Sequence, residues 1–426
     1  MSKITRVHGR EVLDSRGFPT VEAEVELDSG FVGRAISPSG ASTGVHEALE
    51  LRDGDKSRYN GKGTLKAVAH VNEQLAKAAL GRNPDDLKSF DRALIDADGT
   101  ANKTNLGANA ILAVSLAAAK ASAASQKKTL AEWIAAQALN LGYKTELKLP
   151  VPLMNVINGG AHADNGLDVQ EFMIVPHGFS SFRESVRAGC ETFHALKKIL
   201  SGKGLTTAVG DEGGFAPKLG SNREALDLCM EAIAKAGYQP GKQISVALDV
   251  AASEFFKEGA YHFRDKNLGT VNAEKLIEYY VGLSENYPLI SVEDGFAEDD
   301  WEGWTKATAK LGAKMKLIGD DLFVTQVSRL KQGLEKKAAN SILIKLNQVG
   351  SLLETLETMH LASQNGFLSV VSHRSGETED TSLAHLAVGT GCGRVKTGSA
   401  SRTDRMAKYN ELLRLEEHLS CSFGGF

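Results

Sequence analysis

Between Ile244 and Lys396 the chain repeats one unit: a short apolar run ending on a polar residue, then an amphipathic helical pattern. Ile244 to Leu248 ends at Asp249, Leu289 to Val292 at Glu293-Asp294, and Met315 to Gly319 at Asp320-Asp321. Ser341 to Ile344 meets Lys345, Phe367 to Val371 leads into Ser372-His373-Arg374-Ser375, and Arg394-Val395 leads to Lys396. From Asp249 through Glu293, Asp320, Lys345, His373 and Lys396 the steps are 44, 27, 25, 28 and 23 residues, near one strand–helix unit. A run of such units predicts a parallel sheet, most simply closed into a barrel. In such barrels the C-terminal strand ends carry the chemistry. A single strand-end Asp is ordinarily the cap of the next helix. Three carboxylates in register, followed by a lysine, are poorly explained by capping.

The stretch Ser341 to Asn347 sharpens this. Ile342, Ile344 and Leu346 share one face of a strand, and Leu343, Lys345 and Asn347 share the other. A strand covered on both sides should be apolar on both. Burying an ammonium costs several kcal/mol unless anions meet it.

The 426 residues exceed one ordinary core, so two domains are expected, divided as 1–140 and 141–426. The stretch Leu141 to Pro152, with Gly142, Pro150 and Pro152, reads as the linker. A net charge of -4 and a pI near 6.3 give no electrostatic case for nucleic acid or an anionic membrane. Cys190, Cys229, Cys392 and Cys421 are scattered with no C-x-x-C, as in reduced cytoplasmic proteins. Met1 to Arg10 has no apolar run of a signal peptide. The most apolar stretch, Ala108 to Ala124, is Ala-rich and reads as a packed helix, not a membrane span.

The first 140 residues read as an α+β domain. Val21, Ala23, Val25 and Leu27 alternate with Glu22, Glu24 and Glu26. Asp28-Ser29-Gly30 turns, and Phe31 to Ile36 returns, an antiparallel hairpin with one wet face. The loop Ser37 to Gly44 is rich in Ser and Gly but lacks the Gly-Lys-Ser/Thr of a phosphate loop; it suits a lid. Helical patterns follow at Thr64 to Leu80, Ala108 to Ala124 and Thr129 to Leu139.

Asp249, Glu293 and Asp320 offer hard oxygen ligands and no thiolate, which favours Mg²⁺. Beside such a cation the ammonium form of Lys345 would be disfavoured, so a lowered pKa would make it a base near neutral pH. His373, Arg374 and Lys396 suit an anionic, phosphorylated substrate. Val209 to Phe215 sets Asp211 and Glu212 on a Gly-flanked turn, and Asn158 to Ala163 followed by Gln170-Glu171 adds His162 and another carboxylate. His70 and His194, lone on their elements, read as structural or surface residues.

Taken together, Glu11 to Gly17, Ser39 to Glu47, Met154 to Pro176, Val209 to Pro217, Ala247 to Phe255, Ser291 to Gly295, Asp320 to Thr325, Ser341 to Gln348, Ser372 to Thr381 and Lys396 to Gly398 resemble the enolase family over essentially the whole chain. The resemblance implies an N-terminal α+β domain followed by a modified eight-stranded (β/α) barrel whose second strand is antiparallel. It implies the dehydration of 2-phospho-D-glycerate, a phosphorylated hydroxy acid, to phosphoenolpyruvate in glycolysis. It further implies two Mg²⁺ ions, a homodimer or higher homo-oligomer and a cytoplasmic location. By position, Asp249, Glu293 and Asp320 match ligands of the first Mg²⁺, and Ser42 matches a ligand of the second. Lys345 matches the base at carbon 2, and Glu212 the acid at carbon 3, assisted by Glu171. His162, Gln170, Arg374, Ser375 and Lys396 match substrate-binding positions, with His373 nearby. The chain departs from the family pattern at His385, at Arg394 and in the tail Ser420 to Phe426, which lacks a terminal lysine. A plasminogen-binding role resting on such a lysine is therefore not implied.

Two alternatives stand beside this reading. One is another member of the same barrel superfamily acting on a different carboxylate; the cation set and the Gly-Asp-Glu-Gly-Gly loop count against it. The other is a non-catalytic relative kept as a structural or surface-binding protein, which loss of a ligand, acid or base would support. None is lost.

Overall fold

The structure is a computed structural model that describes residues 2–40 and 44–424. Ser42 lies outside the described residues. Three antiparallel strands come first, β1 (Ile4–Leu13), β2 (Pro19–Leu27) and β3 (Val32–Ile36), in that spatial order. The expected hairpin is β2–β3. β1 alternates too weakly, as Thr5, Arg6, His8 and Arg10 interrupt its apolar residues, to be read from sequence. Four helical segments complete this domain. Leu65–His70, Val71–Leu75 (a π-helical turn) and Ala76–Ala79 run on from one another, followed by α1 (Leu87–Asp98), α2 (Ala108–Ser125) and α3 (Leu130–Asn140). α1 is the one the sequence reading omits. Its signals are the Asp86 cap, which accepts from the Ser89 N–H, and Leu87, Phe90 and Leu94 on one face.

Val21, Ala23, Val25 and Leu27 are buried as the alternation requires. Where α2 crosses the sheet, a Cβ on Gly33 would lie 2.0 Å from the Ala117 carbonyl oxygen, so only glycine permits that approach. The other face is less wet than expected. Glu22 is buried, since register places Arg10 opposite it and Arg34 reaches it at 3.7 Å. α2 has the length and composition of a membrane span, yet 15 of its 18 residues are buried between sheet, helices and barrel.

The rest is a closed eight-stranded barrel. Its strands are β4 (Val151–Asn158), β5 (Glu171–Val175), β6 (Ser245–Asp249), β7 (Leu289–Glu293), β8 (Lys316–Gly319), β9 (Ser341–Ile344), β10 (Leu368–Ser372) and β11 (Arg394–Lys396). All neighbours are parallel except β5, which is antiparallel to both β4 and β6. This is the reversed second strand the resemblance implies. Two helices, Phe182–Gly202 and Asn222–Lys235, follow β5 before β6 begins. The predicted linker is shorter than expected: Lys148–Leu149 pairs with Ser422–Phe423, and Val151 and Pro152 already belong to β4. A proline near a strand's first residue removes a donor that the ladder can spare.

Inside the barrel, Val151, Leu153, Met173, Val175, Ala247, Ile318, Leu343 and Val370 form their own apolar cluster. Ile342, Ile344 and Leu346 belong instead to the large core between barrel and helices. Both faces of β9 are thus where the two-residue period puts them.

Candidate active site

The interior cluster also predicts where the polar ends point. Two residues beyond an inward apolar residue the side chain faces inward again. Ala247 leads to Asp249, Ile318 to Asp320, Leu343 to Lys345, and Val370 to Ser372. β5 runs the other way, so its first residue, Glu171, reaches the same rim two residues before Met173, directly paired with Asp249. Glu293 and Lys396 end β7 and β11 at that rim. With the loops above them, these side chains, Glu293 excepted, line one cavity that also contains His162, Gln170, Glu212, Asp294, Asp321, His373, Arg374 and Ser375. Every described residue named as a candidate lines this cavity except Glu293, which is fully buried and touches the cavity-lining Lys396.

Lys396 is 3 % exposed and sits among three carboxylates: Asp249 and Glu293 at 2.8 Å and Glu171 at 3.3 Å. Burial pushes its pKa down, but these anions reverse that and hold it well above the ordinary lysine value. Gln170 donates to Asp249 Oδ2 at 3.4 Å. Lys345 pairs with Asp320 Oδ2, and Gln348 donates to Asp320 Oδ1 at 2.8 Å. The lowered pKa expected for Lys345 is not found. Burial does push it down, but Asp320 outweighs burial and the net shift is upward. The sequence reading credited Asp320 to a cation and so overlooked it as the lysine's own partner.

On the opposite side, Glu171 and Glu212 approach one another beside His162. His162 Nδ1 is 3.7 Å from Glu171 Oε1 and 3.9 Å from Glu212 Oε2, and His373 Nε2 is 3.5 Å from Glu212 Oε2. Burial and then repulsion from Glu212 hold the Glu171 pKa well above the carboxylate range. Burial pushes Glu212 up as well, and the cations around it, Arg405 among them, oppose burial.

Arg374 faces the cavity from the β10 loop, and its fork meets Glu47 of the N-terminal domain at 2.9 and 3.2 Å. Asn347 Oδ1 accepts from Arg374 Nη1 at 3.0 Å. Glu47 and Gln348 are contacts that sequence reasoning missed, although both end stretches that carry the family resemblance. Asp294 was likewise given no role. It accepts from the Asp320 and Asp321 N–H groups at 2.8 and 2.9 Å and so fixes the β8 end.

These residues fit a hard divalent cation. Glu293 Oε2 is buried with no hydrogen-bond partner among the described residues. The Glu293 pKa is held well above the ordinary value, first by burial and then by Asp249. Asp321 is pushed up to about 8 by burial and then by Asp320. Oxygens of Asp294, Asp320 and Asp321 lie within 4.8 Å of one another. Crowded carboxylates that resist ionisation are what a cation would relieve, and an all-oxygen donor set suits Mg²⁺.

Acids, amides and lysines ring the mouth of a barrel with one reversed strand, under a capping domain that reaches into the site. This defines a barrel enzyme that manages charge on an anionic substrate. Residues 4–134 match the family described as Enolase, N-terminal domain, and residues 146–424 match Enolase, C-terminal TIM barrel domain. A curated enolase from Bdellovibrio bacteriovorus is 58 % identical over 419 residues, covering 98 % of this chain and 97 % of that protein. The chain belongs to the enolase family. It is an enzyme of the corresponding class, a carbon–oxygen lyase of the phosphopyruvate hydratase type.

Proposed function

We propose that the chain catalyses the reversible dehydration of 2-phospho-D-glycerate to phosphoenolpyruvate and water in the cytoplasm, as a homodimer or higher homo-oligomer. The same reading divides the chain into a cap, 1–140, and a catalytic barrel, 141–426. One observation carries the chemistry. β9, which bears Lys345, and β5, which bears Glu171, stand four strands apart in a ring of eight, on opposite sides of the mouth. A base and an acid on opposite faces suit an elimination in which the proton and the hydroxyl leave from opposite sides.

Lys345, as the neutral amine, takes the proton from carbon 2 and becomes ammonium. The electron pair left at carbon 2 delocalises into the adjacent carboxylate and then forms the C2–C3 double bond. The C3–O bond breaks with its pair on oxygen, and the Glu171–Glu212 pair supplies the proton that makes the leaving group water. Arg374 and Ser375 hold the phosphoryl end, while Lys396, His162, Gln170 and His373 line the rest of the substrate. Asp249, Glu293 and Asp320 would hold one Mg²⁺, with Ser42 serving a second. Mg²⁺ bound there would supply positive charge for the anion growing on the substrate carboxylate, and Asp320, engaged as its ligand, would no longer favour the ammonium form of Lys345. The four free cysteines support a reducing compartment. The test is ultraviolet absorbance of phosphoenolpyruvate formed from 2-phosphoglycerate. Activity is expected with Mg²⁺ and not after chelation; undiminished turnover in excess EDTA would contradict the metal assignment.

A further inference from the structure

The C-terminal helix turns a buried polar face toward the site loops. In Thr403–His418, Arg405, Lys408 and Tyr409 lie at spacings of three and four, and all three are fully buried. Lys408 Nζ donates to Glu377 Oε2 and the Thr378 carbonyl, both at 2.6 Å, and Tyr409 donates to the Gly398 carbonyl at 2.7 Å. Arg405 reaches furthest. Its guanidinium donates to the carbonyls of Arg374 at 2.5 Å, Ser375 at 2.7 Å and Asp211 at 3.0 Å, and it also engages Nδ1 of His373. One side chain thus ties the loop after β10 to the turn that carries Glu212. The fit is close: a Cβ on Gly398 would lie 2.7 Å from Arg405 Cδ.

A guanidinium has only donors. His373 Nδ1 must therefore present its lone pair, and the single ring proton must sit on Nε2. That nitrogen faces Glu212 Oε2 at 3.5 Å. Protonating Nδ1 would set two donors against each other in a buried site. Burial, joined by Arg405, Lys396 and Lys345, keeps the His373 pKa well below its ordinary value, although Glu212 opposes this, so the ring is neutral.

We propose that Arg405 is a positioning residue for the second half of the reaction: it fixes His373 as the neutral Nε2–H tautomer and so aims an N–H at Glu212. An N–H donated to Glu212 binds the carboxylate more strongly than the acid. It stabilises Glu212 as that residue gives up its proton to the departing hydroxyl. The inference rests on the assignment of Glu212 to that step.

The test begins on the intact wild-type protein, with ¹⁵N-labelled histidines observed by NMR and the His373 signals identified by their loss in His373→Gln. An Nε2–H ring that stays neutral from about pH 6 to 9 is expected. An Nδ1–H tautomer, or an imidazolium in that range, would overturn the proposal without any reference to turnover. The second arm uses Arg405→Gln and Arg405→Lys, checked for folding by circular dichroism and melting. In Arg405→Gln, dehydration should fall roughly 10- to 100-fold. Exchange of the carbon-2 hydrogen with deuterated water should change less than about threefold. Arg405→Lys, still a donor, should keep the Nε2–H tautomer and recover part of the rate. Equal loss of exchange and dehydration in a folded Arg405→Gln would reduce Arg405 to a structural role. If neither variant folds, the wild-type spectrum decides. A wild-type protein that makes no phosphoenolpyruvate would overturn the proposed function while leaving the tautomer standing.

Discussion

Lys396 and Arg374 are both buried cations at the rim, but they do different work. Lys396 balances Asp249, Glu293 and Glu171, whereas Arg374 presents a planar fork already matched to one carboxylate, Glu47. A point charge cannot reproduce that fork. Arg374→Lys should therefore lower kcat/KM by about 10- to 100-fold, mainly through KM, as steady-state kinetics on 2-phosphoglycerate would measure. Unchanged constants would remove Arg374 from the anion site. Asp320 pairs with Lys345 and stands among the carboxylates proposed to hold the cation. Asp320→Ala should weaken Mg²⁺ dependence and turnover together, with partial rescue at high Mg²⁺. A variant whose Mg²⁺ titration curve overlays that of wild type would exclude Asp320 as a ligand.

At the scale of elements, α1 carries a group that belongs energetically to the barrel. Asp91 on α1 is fully buried, and its Oδ2 accepts from Ser115 on α2 at 2.9 Å and from the Leu353 N–H at 2.8 Å. Leu353 lies in the first turn of the barrel helix Leu352–Gln364, so Asp91 serves as an extra N-terminal partner across the domain contact. Burial pushes the Asp91 pKa up to about 7. The folded state therefore binds the proton more tightly than the unfolded one, and Asp91's contribution to stability falls as pH rises from about 4 to 7. Asp91→Asn keeps an acceptor for both donors and cannot ionise. The variant should gain on wild type between pH 5 and 8 by on the order of a few kcal/mol, read from denaturant melts at each pH. Parallel stability–pH curves would contradict this. None of it was legible beforehand, because the sequence reading omitted α1 and nothing local marks an aspartate that caps a helix 262 residues away. By contrast, β2 was legible because its alternation marks one buried face, and α2 because a continuous Ala-rich apolar run marks a helix packed on all sides.

For the whole molecule, the repeating strand–helix spacing was enough to predict the barrel and which strand ends carry the site. The reversal of β5 was not derivable from local pattern: Glu171 to Val175 is buried throughout, so its periodicity has no direction. That reversal brings Glu171 to the rim, and only the family resemblance pointed to it. The pairing of Lys345 with Asp320 was hidden for another reason. It depends on two strand ends meeting in space, and both residues had already been given other partners. What the closed barrel adds is opposition, with Lys345, the proposed base, facing Glu171 and Glu212, the proposed acid pair, across the mouth. The most direct test of that arrangement is NMR of 2-phosphoglycerate incubated with Mg²⁺ in deuterium oxide, using Lys345→Ala and Glu212→Gln. The account predicts that Lys345→Ala loses both phosphoenolpyruvate formation and carbon-2 exchange, while Glu212→Gln loses product formation but retains exchange. Exchange at the wild-type rate in Lys345→Ala, or none in a folded, Mg²⁺-binding Glu212→Gln, would contradict it.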